Sequence, residues 1–132
     1  MLTALNPVPT TDKDNPMTAN KHTVQKFMDA ISKSNHADVL FCLTDDVEWV
    51  IPGMSHTKGK DAFDKQIESE GLVSCTITVT RMTEENNVVI AEGIVQIAKM
   101  DGGLRNTVFC DVFVLQDTKI KHLTAYLMEV KK

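Results

Sequence analysis

One carboxyl in this chain stands where a carboxyl is expensive. Asp111 lies within the Val/Phe-rich run Leu104–Gln116, and alternation along an extended chain puts it on the same face as Thr107, Phe109 and Phe113. A carboxylate between two phenyl rings loses hydration. Burial favours its neutral form, which can donate a hydrogen bond or a proton. Two readings are open: Asp111 is an acid/base group, or it bonds a polar neighbour such as Thr107 or Gln96. The four histidines offer less. His56 follows Pro52-Gly53 and is expected on a loop. His122 is expected on an outer face with Ile120, Thr124 and Tyr126, and His22 and His36 at helix starts on the surface. They show no ligand spacing, so no metal is expected. Cys42, Cys75 and Cys110 sit among apolar neighbours as small hydrophobes, which suits a reducing compartment. Trp49, the single tryptophan, is either core filler or a pocket wall. There is no phosphate-binding glycine loop, nucleophile elbow or usable Cys/His pair.

The elements that must position these groups belong to one domain. The chain has 132 residues, of which 42% are hydrophobic and 24% charged. That is enough to bury a core without disulfides. The net charge is −4, with no basic cluster beyond Lys131-Lys132, so nucleic-acid binding is not expected. No apolar run approaches a membrane span, and the N-terminus lacks a signal-peptide pattern, so a cytoplasmic location is expected. Residues 1–17 carry three of the four prolines and read as a tail, leaving 18–132 as the domain.

Val24, Phe27, Met28 and Ile31 recur at helical spacing. Asn35 can cap a second helix carrying Val39, Leu40 and Leu43. Val47–Ile51 reads as a short strand stopped by Pro52-Gly53. Lys60–Glu70 reads as a third helix, with Ala62, Phe63 and Ile67 inward and Gly71 ending it. Four long runs follow, Leu72–Thr83, Val88–Met100, Leu104–Gln116 and Lys119–Val130, separated by short polar breaks. They predict an antiparallel meander. On two of these strands both faces are apolar, so both sides of the sheet need cover.

The run Thr44-Asp45-Asp46-Val47-Glu48-Trp49 leading to Pro52-Gly53, then Gly59-Lys60-Asp61-Ala62-Phe63, and the last strand pair CDVFVLQDTKIKHLTAYLMEV together resemble the nuclear transport factor superfamily. Within it the chain is most similar to SnoaL-type polyketide cyclases and ketosteroid isomerase, over about residues 18–130. The resemblance implies an α+β cone, with three N-terminal helices packed on a curved, mainly antiparallel sheet, and a pocket on the concave face. Trp49 and Ile51 should line that pocket from the short strand. Glu92, Ile94 and Gln96 should do so from the neighbouring hairpin, Phe109, Asp111 and Phe113 from the penultimate strand, and Leu123, Ala125 and Leu127 from the last. Met54 would close the rim.

By the resemblance, Asp111-Val112-Phe113 places Asp111 at the isomerases' acid position. The base position falls on Ile51 and the tyrosine position on Phe27, and neither side chain moves a proton. Steroid isomerisation by that mechanism is therefore not expected. What the resemblance implies is a cofactor-independent isomerase or cyclase, or a non-catalytic binder, for a small apolar or aromatic carbonyl compound. Homodimerisation is expected through an outer sheet face read as Val108, Cys110, Val112 and Val114 beside Val89, Ala91, Val95 and Ile97.

Overall fold

Thr18 opens the first helix by accepting a hydrogen bond from the Lys21 amide through its side chain, 3.1 Å. In the computed structural model, which describes residues 17–69, 75–98 and 102–130, that helix is α1, Ala19–Ser32. Val24, Phe27 and Met28 form its buried stripe. Asn35 caps α2, His36–Phe41, through the Asp38 amide. β1 (Leu43–Ile51) and β2 (Ser55–Lys58) form a hairpin, and α3 spans Lys60–Ser69. The meander follows as β3 (Cys75–Glu85), β4 (Val88–Ala98), β5 (Leu104–Gln116) and β6 (Lys119–Val130).

The six strands make one curved sheet in the order β2-β1-β6-β5-β4-β3. Every pairing is antiparallel except β1 with β6, which is parallel. Asn86-Asn87 and Asp117-Thr118 all have positive φ, the backbone of two-residue hairpin turns whose twist matches the strands. Irregular register at Val79/Arg81 and Val114/Leu115 bends the strands locally. The helices cover the inner face, where Val24, Phe27, Val39 and Phe63 bury against Val47, Val89, Phe113 and Leu123. Asn20 donates to Glu84 (2.9 Å) and Asn87 (3.1 Å), tying the start of α1 to the β3–β4 turn.

The fold corrects several expectations. Leu43 begins β1 and does not end a helix, and β1 extends four residues upstream of Val47. His56 lies on strand β2 opposite Val50, a strand too short and polar for alternation to reveal. The third helix follows two strands, so the helices are not one N-terminal block. β3 runs on to Glu85, beyond Thr83. Ile120 is fully buried opposite Leu115, because the bulge turns it away from the face that His122 shares with Thr124 and Tyr126.

The largest correction concerns β4. Gly93 stands opposite Phe109, and Ala91 opposite Asp111. Val89, Ala91, Val95 and Ile97 therefore face inward, while Ile90, Glu92, Ile94 and Gln96 face outward beside Val108, Cys110 and Val112. Because β4 is apolar on both faces, pattern alone is symmetric, and a shift of one residue exchanges the faces. The tail up to Pro16, the helix end at Glu70-Gly71, the strand start at Leu72 and the break at Met100-Asp101 lie outside the described residues.

Candidate small-molecule site

A cavity of about 340 Å³ opens between α1 and the concave face of the sheet. That is within the range of small-molecule sites. Helix α1 supplies Phe27, Met28 and Ile31, and β1 supplies Trp49 and Ile51. Met54, on the turn after β1 and 76% exposed, forms part of the rim. Cys75 and Ile77 enter from β3, Val95 and Ile97 from β4, and Leu123, Ala125 and Leu127 from β6. β5 carries the polar side of the lining: Arg105, Thr107 and Asp111 alternate with outward residues, and Phe109 lies among them. Glu129 joins Arg105 at the outer end.

The apolar wall is held by a relay of rings. Trp49 stacks on Phe63 with centroids 4.6 Å apart and planes at 29°. Phe63 meets Phe27 edge-on at 6.0 Å, and Phe27 meets Phe113 edge-on at 5.6 Å. Such pairs fix ring orientation as well as burying area. On the opposite wall Gly93 is required by close approach. A Cβ there would lie 2.0 Å from the Thr78 carbonyl oxygen and 2.9 Å from the Phe109 ring. The Phe109 ring thus rests on bare backbone.

Asp111 is the ionisable group set into this apolar interior. Its Oδ1 is buried with no hydrogen-bond partner, and burial pushes its pKa up to about 7. Near neutral pH it can therefore give or take a proton. Neither polar neighbour considered for it serves: Thr107 makes no bond to it, and Gln96 donates to Asn106 on the other face at 3.0 Å. The Trp49 Nε1 is likewise buried without a partner. Burial raises the Cys75 pKa, keeping that thiol protonated and poorly nucleophilic.

Of the side chains expected to line the pocket, the structure brings together Asp111, Trp49, Ile51, Met54, Phe27, Phe109, Leu123, Ala125 and Leu127. It does not bring Glu92, Ile94 or Gln96 there. Glu92 pairs with Arg81 at 2.6 Å on the outer face, and Ile94 is exposed there. Phe113 is fully buried beneath the cavity and supports Phe27 without lining it. Sequence reasoning missed Met28 and Ile31, which share the helical face of Phe27, and also Arg105 and Glu129. The same alternation, carried two residues past Thr107 and Leu127, reaches those last two. Cys75, Ile77, Val95 and Ile97 carried the right signal but were assigned to the wrong face or to none.

Among the histidines, His56 and His122 flank Glu48 at 3.6 and 3.7 Å outside the cavity, His36 contacts Asp64 between α2 and α3, and His22 is exposed. Among the described residues no cluster of His, Cys, Asp or Glu could hold a metal, and no helix is long and apolar enough to cross a membrane.

The helix-covered curved sheet is the nuclear transport factor-like fold, and here it encloses an apolar cavity with the Asp111 carboxyl set into it. Within that class the chain belongs to the SnoaL-like domain family, whose model matches residues 24–123. Among curated proteins none matches the chain. Several solved structures share the fold. A Mycobacterium tuberculosis LEH-like epoxide hydrolase superposes with a TM-score of 0.76 at 19% identity, covering 85% of this chain and 84% of that one. An NTF2-like protein from Burkholderia pseudomallei gives 0.76 at 16% identity, with coverages of 85% and 92%. TerC, co-crystallised with polyporic acid, gives 0.73 at 15% identity, with coverages of 82% and 90%. At these identities the likeness defines the fold.

Proposed function

We propose that this protein is a small-molecule pocket enzyme of SnoaL type, acting without a cofactor on a compact apolar or aromatic carbonyl compound. Asp111 is the acid/base group, and Trp49, Ile51, Met54, Phe27, Phe109, Leu123 and Leu127 shape the site. The observation that carries the reading is the unpartnered Asp111 carboxyl in an apolar cavity, poised near pH 7 by burial. In its protonated form the carboxyl can deliver a proton to a carbonyl oxygen, and in its ionised form it can take one from the carbon beside it. The fold's neighbours include an epoxide hydrolase and TerC with its polyporic acid, which supports a small-molecule ligand.

The test is a panel of neutral cyclic ketones and phenols titrated against Trp49 fluorescence, followed by product analysis of the same mixtures. Binding with isomerised or cyclised product is the expected result. Binding without turnover throughout the panel would favour a second reading, a non-catalytic ligand binder. That reading is supported by Ile51 and Phe27, which bring no ionisable partner to Asp111.

We further propose that the protein acts as a cytoplasmic homodimer, its cysteines free thiols suited to a reducing compartment. The support for the dimer is the outer sheet face. Ile94, Val108, Tyr126 and Met128 stand in neighbouring strands, 42%, 38%, 51% and 69% exposed. A second copy laid on that face would bury them. Val112→Asp, at the middle of the face, is expected to convert a dimer in sedimentation analysis into monomer or aggregate. A monodisperse monomer of the unmodified protein at micromolar concentration would refute the dimer.

A further inference from the structure

Two buried polar atoms without partners belong to side chains lining one cavity: Asp111 Oδ1 and Trp49 Nε1. An orphaned indole N–H is unusual, because buried tryptophan ordinarily finds an acceptor. This indole is also held in place. Phe63, itself fully buried, stacks on it and fixes the plane in which the N–H lies. The two side chains stand on strands separated by β6. Trp49 lies opposite Leu123 and Asp111 opposite Ala125, so their backbones are about 10 Å apart across the sheet and offset by one inward-facing position.

We propose that Trp49 is a second polar anchor: its indole N–H donates to an acceptor oxygen on the ligand while Asp111 engages a polar group at the ligand's other end. This deepens the pocket reading above and rests on it. The ligand class is thereby narrowed to a ring-sized apolar body carrying an oxygen at each of two opposed positions. A hydrocarbon or a compound with one polar group leaves one of the two orphans unsatisfied, which is the discrimination a buried hydrogen-bonding site applies.

Three probes share one bicyclic body and differ in polar groups: tetralin has none, alpha-tetralone one, and a hydroxytetralone with its hydroxyl on the far ring has two. Because the chain has a single tryptophan, its spectrum contains one indole N–H signal, which reports on this bond directly in the unmodified protein. Hydroxytetralone is expected to bind tightest, move that signal downfield and slow its exchange with solvent, and tetralin to do neither. Trp49→Phe keeps a ring against Phe63 and removes the donor. It should weaken hydroxytetralone about three- to tenfold and leave tetralin within about twofold. If all three probes bind alike to both proteins and the indole signal is indifferent to the carbonyl, the anchor is overturned while the pocket stands. If no probe binds, the pocket reading falls and the anchor with it.

Discussion

Asp111→Asn is expected to make the protein more stable at about pH 8 while abolishing any proton transfer it performs. Both effects follow from the same buried carboxyl. Burial raises its pKa from 3.8 to about 7, so between those values the folded state holds a proton that the unfolded state has released. Stability therefore falls as pH rises through this window, and it levels off above the folded value. Each pH unit in the window is worth about 1.4 kcal/mol, so the accumulated cost is on the order of 4 kcal/mol. The amide has nearly the same shape and never ionises. Its advantage over the parent in urea denaturation should be near zero at about pH 4 and grow towards that value at about pH 8. Catalysis moves the opposite way, with a loss of at least about a hundredfold, since an amide neither gives nor takes a proton at neutral pH. An identified reaction running at full rate in the variant would refute the acid/base role. Equal stability of the two proteins across the pH range would show that the carboxyl pays no burial penalty.

Gly93→Ala should be the most damaging single-methyl change in the sheet. The added carbon would sit 2.0 Å from the Thr78 carbonyl oxygen, a backbone atom with no rotamer to escape into. Its other neighbour, the Phe109 ring at 2.9 Å, could shift only into the cavity. Ordinary overpacking costs about 1–3 kcal/mol when side chains can give way. Here the β3–β4 ladder must separate, and the loss is expected to exceed about 3 kcal/mol, a large part of a domain's usual stability. Adding Phe109→Ala separates the two clashes, because it removes the ring and leaves the carbonyl. Failure of that second change to restore the urea midpoint is the expected outcome. Full restoration would show that the ring, and not the backbone, was the obstacle.

What could be read in advance follows from how strongly each residue constrains its surroundings. Val24, Phe27, Met28 and Ile31 define a helix because their spacing allows one buried face. Asn86-Asn87 and Asp117 mark turns because Asn and Asp are among the few residues that accept positive φ. Asp111 was legible as an inward-facing residue because a carboxyl interrupts the alternation of Phe109 and Phe113 on β5. Glu92 was misassigned for the complementary reason: β4 is apolar on both faces, so only the pairing of Gly93 with Phe109 decides which way Glu92 turns. β2 escaped notice because Ser55–Lys58 has no apolar alternation and is a strand only by pairing with β1. The orphaned Trp49 N–H belongs to no sequence pattern, since satisfaction of a donor is a property of the assembled cavity.

The parallel seam between β1 and β6 has a consequence for how the chain reaches this state. β3 with β4, and β5 with β6, meet across two-residue turns and need little loop closure. Leu43 must find Ile120, and Trp49 must find Leu123, with more than half the chain between them. The entropy of closing that interval is spent before the contact returns anything, so the seam is the slow topological step and the hairpins are the fast ones. The single tryptophan rides on the strand that closes it. In a refolding experiment its fluorescence therefore times the arrival of β1, and with it the moment the cavity acquires its second wall.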